Sequence, residues 1–63
     1  MDFLFEFCRH ELKEGDYVKV KDVYRKGYIF EGSVSDLLTN LNLTGFCVIQ
    51  YEMHADYIEL FVV

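Results

Sequence analysis

The sequence predicts a mainly β domain: a small, strongly bent antiparallel sheet, or that sheet closed into a barrel, of about four to five strands with one short helical turn. Three observations carry this expectation. Residues 17–21 alternate Val18 and Val20 with Lys19 and Lys21, the two-residue period of a half-buried strand. Residues 57–63 alternate in the same way, Ile58, Leu60 and Val62 against Tyr57, Glu59, Phe61 and Val63. Residues 46–52 form a nearly continuous apolar run, which suits a central strand covered on both faces.

Along the chain, the first twelve residues carry two competing periods. Phe3, Phe5 and Phe7 alternate as in a strand, while Leu4, Cys8 and Leu12 recur at helical spacing. Residues 2–11 stay open between the two, with the phenylalanines tilting the expectation toward a strand. Gly15 and Asp16 punctuate the start of the strand at 17–21, and residues 22–27 form a polar connection ending in Gly27. A second strand follows over residues 28–35, where Gly32 marks a bend. Ser35 is a cap-type residue followed by Leu37, Leu38 and Leu41, enough for one or two helical turns. Thr44 and Gly45 lead into the apolar run, and residues 53–56 make a hairpin loop before the final strand.

The run Gly15-Asp16-Tyr17-Val18-Lys19-Val20, with the loop and the Gly-containing strand after it, resembles the opening of SH3-like small barrels, a class that includes KOW and Tudor-type modules. Sm-like barrels are similar at the same level. The resemblance spans residues 15–62 and implies a fold class, which does not fix a function.

A chain of 63 residues holds one domain. With 52% hydrophobic residues, no Pro and 4 Gly it has the material to fold, which excludes disorder. Domains this small gain stability from disulfides, a metal or a partner. Cys8 and Cys47 allow one bridge at most, and Cys47 lies in an apolar run where a buried free thiol is expected. The eleven aromatic rings and self-association are left as stabilising sources, so a homo-oligomer, a dimer in the simplest case, is expected. No apolar run approaches the roughly 20 residues of a membrane span. Asp2, Glu6, Arg9, His10 and Glu11 would break a signal-peptide core, so a cytoplasmic protein without membrane contact is expected.

Charge is distributed unevenly along the sequence. All six basic residues lie between Arg9 and Lys26, six acidic ones balance them within residues 1–26, and Glu31, Asp36, Glu52, Asp56 and Glu59 supply the net charge of −5. Such acidity repels phosphates and points to a protein partner, a basic one by complementarity. If Ile58, Leu60 and Val62 face the core, then Tyr57, Glu59 and Phe61 form an outward contact face, with Glu52 and Asp56 as its charged rim. Cover for that face is expected from Phe3, Phe5 and Phe7 or from a second copy, and the last strand, lacking Lys and Pro, is expected to accept strand addition. The alternative is a nucleic-acid interface of Lys19, Lys21, Arg25 and Lys26, with Tyr24 to stack on bases.

No cofactor, metal or catalytic residue is expected. Cys8-Arg9-His10 and His54-Ala55-Asp56 are the only clusters with metal-capable atoms, C-x-x-C spacing is missing, and the glycines at 15, 27, 32 and 45 are too scattered for a phosphate loop. The chain therefore reads as a non-enzymatic interaction module. In size and acidity it resembles accessory or inhibitor proteins of phages and mobile elements.

Overall fold

Apolar side chains at every second position of two strands, and at i, i+3 and i+4 of the first helix, meet in one core between a sheet and a helical layer. The computed structural model describes residues 2–63. In chain order the elements are β1 (Asp2–Phe3), α1 (Leu4–Glu11), β2 (Tyr17–Asp22), β3 (Phe30–Ser33), α2 (Val34–Leu38), a 3-10 turn (Leu41–Leu43), β4 (Cys47–Met53) and β5 (Ile58–Val62). The sheet has five strands in the order β1-β4-β5-β2-β3. A mainly β chain with one short sheet is thus what the alternating patterns foretold.

The sheet is mixed rather than wholly antiparallel. Two hairpin-like pairs, β2 with β3 and β4 with β5, are antiparallel, but β2 and β5 run parallel in the middle, with Val18 beside Ile58 and Val20 beside Leu60. The reason is the connection from β3 to β4. Residues 34–46 cross over the sheet through α2 and the 3-10 turn, so the second pair arrives on the far side of β2 with β5 innermost. The outer strands β1 and β3 stand at opposite ends, and the sheet is open.

Leu4, Phe7 and Cys8 of α1, Val34 and Leu37 of α2, and Leu43 of the 3-10 turn pack on Val18, Val20, Ile58, Leu60 and Val62. The expected N-terminal strand is therefore corrected to a helix, with only Asp2 and Phe3 extended. Helical spacing wins because it buries Leu4, Phe7 and Cys8 together, where a strand would have offered only one face of alternating rings. Phe7 joins the core and Phe5 packs against it, so these rings do not cover the opposite face of the sheet.

A five-residue helix and a 3-10 turn follow β3, in keeping with the one or two helical turns expected there. The cap is Ser33, whose hydroxyl accepts the Asp36 N–H at 3.1 Å, two residues earlier than the expected Ser35. At the turn into β4, Gly45 has φ +94°, a conformation other residues rarely adopt. Asp22 ends β2 as a buried carboxylate that accepts the Tyr24 N–H at 2.9 Å and lies 3.6 Å from Arg25 Nε.

β4 is corrected from a strand covered on both faces to a strand with a free edge. β1 pairs only with Cys47 and Val48, so among the described residues the outer side of β4 is unpaired from Ile49 onward. After Val48 the strand leaves the core, with a register shift between Val48 and Gln50 that places a bulge at Ile49. By the same topology β5, expected to offer an edge, lies inside the sheet between β4 and β2. Among the described residues no helix is long and apolar enough to cross a membrane.

Candidate functional site

Because Ile58, Leu60 and Val62 point into the helical side, period two turns Glu59 and Phe61 to the other face of the sheet. Strand register then assembles a row across that face. Glu31 of β3 stands beside Lys19 of β2, Lys19 beside Glu59 of β5, and Glu59 beside Glu52 of β4. A second row places Lys21 beside Phe61 and Phe61 beside Gln50.

Side-chain contacts tie the first row to the β4–β5 loop. The Tyr28 hydroxyl donates to Glu59 Oε2 at 2.8 Å, and His54 Nε2 lies 3.3 Å from Glu59 Oε1 and 3.8 Å from Glu52 Oε2. The His54 ring stacks on Tyr57 with centroids 4.5 Å apart and planes 20° from parallel. Lys19 Nζ sits 4.4 Å from the Tyr57 centroid and 5.6 Å from that of Tyr28, and reaches Glu31 at 3.8 Å. Glu52, His54 and Glu59 thereby hold three donor atoms within 4.8 Å of one another.

The expected contact residues Glu52, Tyr57, Glu59 and Phe61 do share this face, and Asp56 lies exposed in the adjoining loop. Tyr57, Glu59 and Phe61 are half-buried by their neighbours. The basic set is divided: Lys19 and Lys21 lie on the sheet face, while Tyr24, Arg25 and Lys26 are in the exposed loop after β2. Two of its cations are engaged with acids, Lys19 with Glu31 and Arg25 with Asp22. The charge asymmetry of the linear sequence does not survive as two surfaces, because the parallel pairing of β2 and β5 sets basic and acidic side chains next to each other. Exposed pairs of this kind contribute about 0–1 kcal/mol each.

Cys8 and His10 do not form a cluster, since Cys8 is buried in the core while His10 is exposed, 3.4 Å from Glu6. Both cysteines are free. His54 meets Glu52 and Glu59 rather than Asp56 as its acidic neighbours. The bond of Tyr28 to Glu59 and the free edge of β4 were not among the features expected from the sequence. For the cluster around His54, the i, i+2 spacing of Glu52 and His54 before a short loop is the one local signal in the sequence.

The hydrogen bond to Glu59, followed by desolvation and the nearby negative charge of Glu59, pushes the Tyr28 hydroxyl up to about 12. The proton is held more tightly in the folded chain, so this contribution to stability is complete below the ordinary value of 10.0 and is lost as pH rises toward about 12. An ultraviolet titration of the parent minus that of Tyr28→Phe should isolate an ionisation near pH 12. A difference midpoint near 10 would show that Glu59 does not hold the hydroxyl in solution.

The edge of β4 is the other exposed feature. Ile49, Tyr51 and Met53 are 46%, 49% and 67% exposed, and Phe3 of β1 adjoins them on the same margin of the sheet. His54 N–H donates to Tyr57 O at 2.9 Å, and antiparallel pairs alternate between exchanging and not exchanging hydrogen bonds. Counting back from His54, Met53 and Tyr51 turn their backbone N–H and C=O groups outward, away from β5. Compared with known proteins, the chain matches no family model, no curated protein and no solved structure.

Proposed function

We propose that the chain is a non-enzymatic interaction module that works by strand addition along β4, its partner being a second copy of the chain. The observation that supports this reading is the unpaired outer edge of β4 beyond Val48, lined by exposed Ile49, Tyr51 and Met53. Edge strands in monomers are usually blunted by charge, Pro, a bulge or a covering element; residues 47–53 contain neither Lys nor Pro, the bulge lies at Ile49 where the open stretch begins, and Glu52 is its one charged side chain. An edge of this kind pairs through its main chain, and its alternate side chains give specificity.

The edge is self-complementary. A two-fold antiparallel pairing centred on Tyr51 sets Ile49 opposite Met53 and Gln50 opposite Glu52 of the second copy, so no like charges face each other. The row of Lys19, Glu59 and Glu52 would then continue across two sheets.

Met53→Pro tests this. The Met53 N–H points outward, so proline there leaves the bonds to β5 intact, and a residue before proline favours the extended backbone that Glu52 already has. Sedimentation over a range of concentrations should show the parent passing from monomer to dimer. In the variant each copy loses one outward donor, about 2 kcal/mol in total, so dimerisation should weaken roughly 30-fold while circular dichroism is unchanged. A parent that stays monomeric, or a variant that dimerises as well as the parent, overturns the reading.

A further inference from the structure

We propose that Glu52, His54 and Glu59 form a site for one divalent metal ion of the zinc type, which braces the β4–β5 hairpin. The proposal is independent of strand addition, because its ligands lie on the open face of the sheet and in the hairpin loop rather than along the outer edge.

The geometry is that of a ligand set one step from closure. Around a tetrahedral zinc with nitrogen and oxygen ligands at about 2.0–2.1 Å, neighbouring donor atoms stand about 3.3 Å apart. His54 Nε2 is 3.3 Å from Glu59 Oε1, already at that spacing, and 3.8 Å from Glu52 Oε2, which the exposed Glu52 side chain closes by a small rotation. The three ligands leave a fourth position for water. A neutral imidazole and two carboxylates balance a divalent cation, and an imidazole donor with few ligands suits zinc over magnesium or calcium, which prefer six or more oxygens.

A supporting shell is present as well. Glu59 divides its oxygens between two tasks, Oε2 accepting from the Tyr28 hydroxyl at 2.8 Å and Oε1 facing His54. Tyr57 fixes the plane of the His54 ring by stacking. Outer contacts of this sort orient metal ligands and raise affinity. Glu52 and Glu59 are also direct cross-strand neighbours, an arrangement of like charges that disfavours the hairpin unless a cation lies between them. The nearest lysine does not supply one: Lys19 is beside Glu59 in register, but its ammonium reaches Glu31. Among the described residues, the only basic group within ion-pair distance of Glu52 or Glu59 is His54 itself. With both cysteines free, a metal would supply the cross-link that a domain of this size otherwise lacks.

The test is calorimetric titration of the chelator-treated full chain with zinc chloride, with magnesium chloride as the control, followed by ring-proton NMR of the two histidines. One zinc per chain is expected, with shifts at His54 and none at His10. His54→Ala should weaken binding by at least about tenfold, and Tyr28→Phe, which removes only the outer contact, by about tenfold. His10→Ala should bind as the parent does. Absence of binding would identify the cluster as a histidine–carboxylate contact only and overturn the proposal. So would half a zinc per chain, which signals a shared site between copies, magnesium bound as tightly as zinc, or an unaltered affinity in His54→Ala.

Discussion

Leu60→Ala is expected to leave a large share of the chain unfolded at 25 °C. Leu60 is fully buried on β5, the strand that joins the two antiparallel pairs, and its neighbours in register are Val20 on one side and Tyr51 on the other. Removing a buried leucine to alanine costs about 2–5 kcal/mol, while a 63-residue domain has about 3–9 kcal/mol in total at the usual 0.05–0.15 kcal/mol per residue. Urea unfolding followed by circular dichroism, at a protein concentration low enough to keep the chain monomeric, should show the midpoint collapsing. Leu41→Ala is the comparison. Leu41 is 79% exposed, so its loss should shift stability by no more than about 0.5 kcal/mol. Equal midpoints for the two variants would contradict the core described above.

The second large effect concerns the two thiols. Cys8 is fully buried among the core side chains, and burial pushes its thiol up to about 11 from 9.0. Only the thiolate is nucleophilic, so at neutral pH this shift alone lowers the reactive fraction by about a hundredfold. Access adds a further factor, because the reagent reaches Cys8 only when the core opens. Iodoacetamide at pH 8 should therefore modify the half-buried Cys47 at least about a hundredfold faster than Cys8, read by peptide mass spectrometry. In Leu60→Ala the difference should shrink toward unity, since the unfolded chain exposes both. Equal rates in the parent would mean that α1 does not seal the core. The sign of the pH effect follows from the same shift: the fold binds the Cys8 proton more tightly than the unfolded chain does. That contribution is complete below about pH 9 and is lost as pH rises toward about 11.

Local pattern made much of this fold legible. Alternation identified β2 and β5, and it correctly assigned Ile58, Leu60 and Val62 to the core and Glu59 and Phe61 to the opposite face. The hairpin loop fell within one residue of its observed place. What alternation did not resolve was competition between periods. Phe3, Phe5 and Phe7 mimic a strand, yet the residue that decides is Leu4, which together with Phe7 and Cys8 forms a helical stripe the core accepts. Nor does an apolar run declare its neighbours: Phe46, Cys47, Val48 and Ile49 look like a central strand, but only Val48 is fully committed to the core. The Glu52, His54 and Glu59 cluster was hidden for a related reason. It depends on a cross-strand register and on Tyr28, which is 31 positions from Glu59 in sequence. Charge counting likewise could not foresee that Lys19 would lie beside Glu59, since that adjacency arises from the crossover.

The parallel pairing of β2 with β5 also governs how the chain reaches its native state. Val18 and Ile58 are neighbours in space, though about two thirds of the chain separates them, so their contact closes a long loop whose entropy must be met before the contact repays it. The two antiparallel pairs need only local encounters. Assembly should therefore be limited by the docking of one preformed half against the other, giving slower kinetics than a helical bundle of equal length. Until that docking occurs, β2 and β5 each present an open flank, and neighbouring molecules compete for it at high concentration.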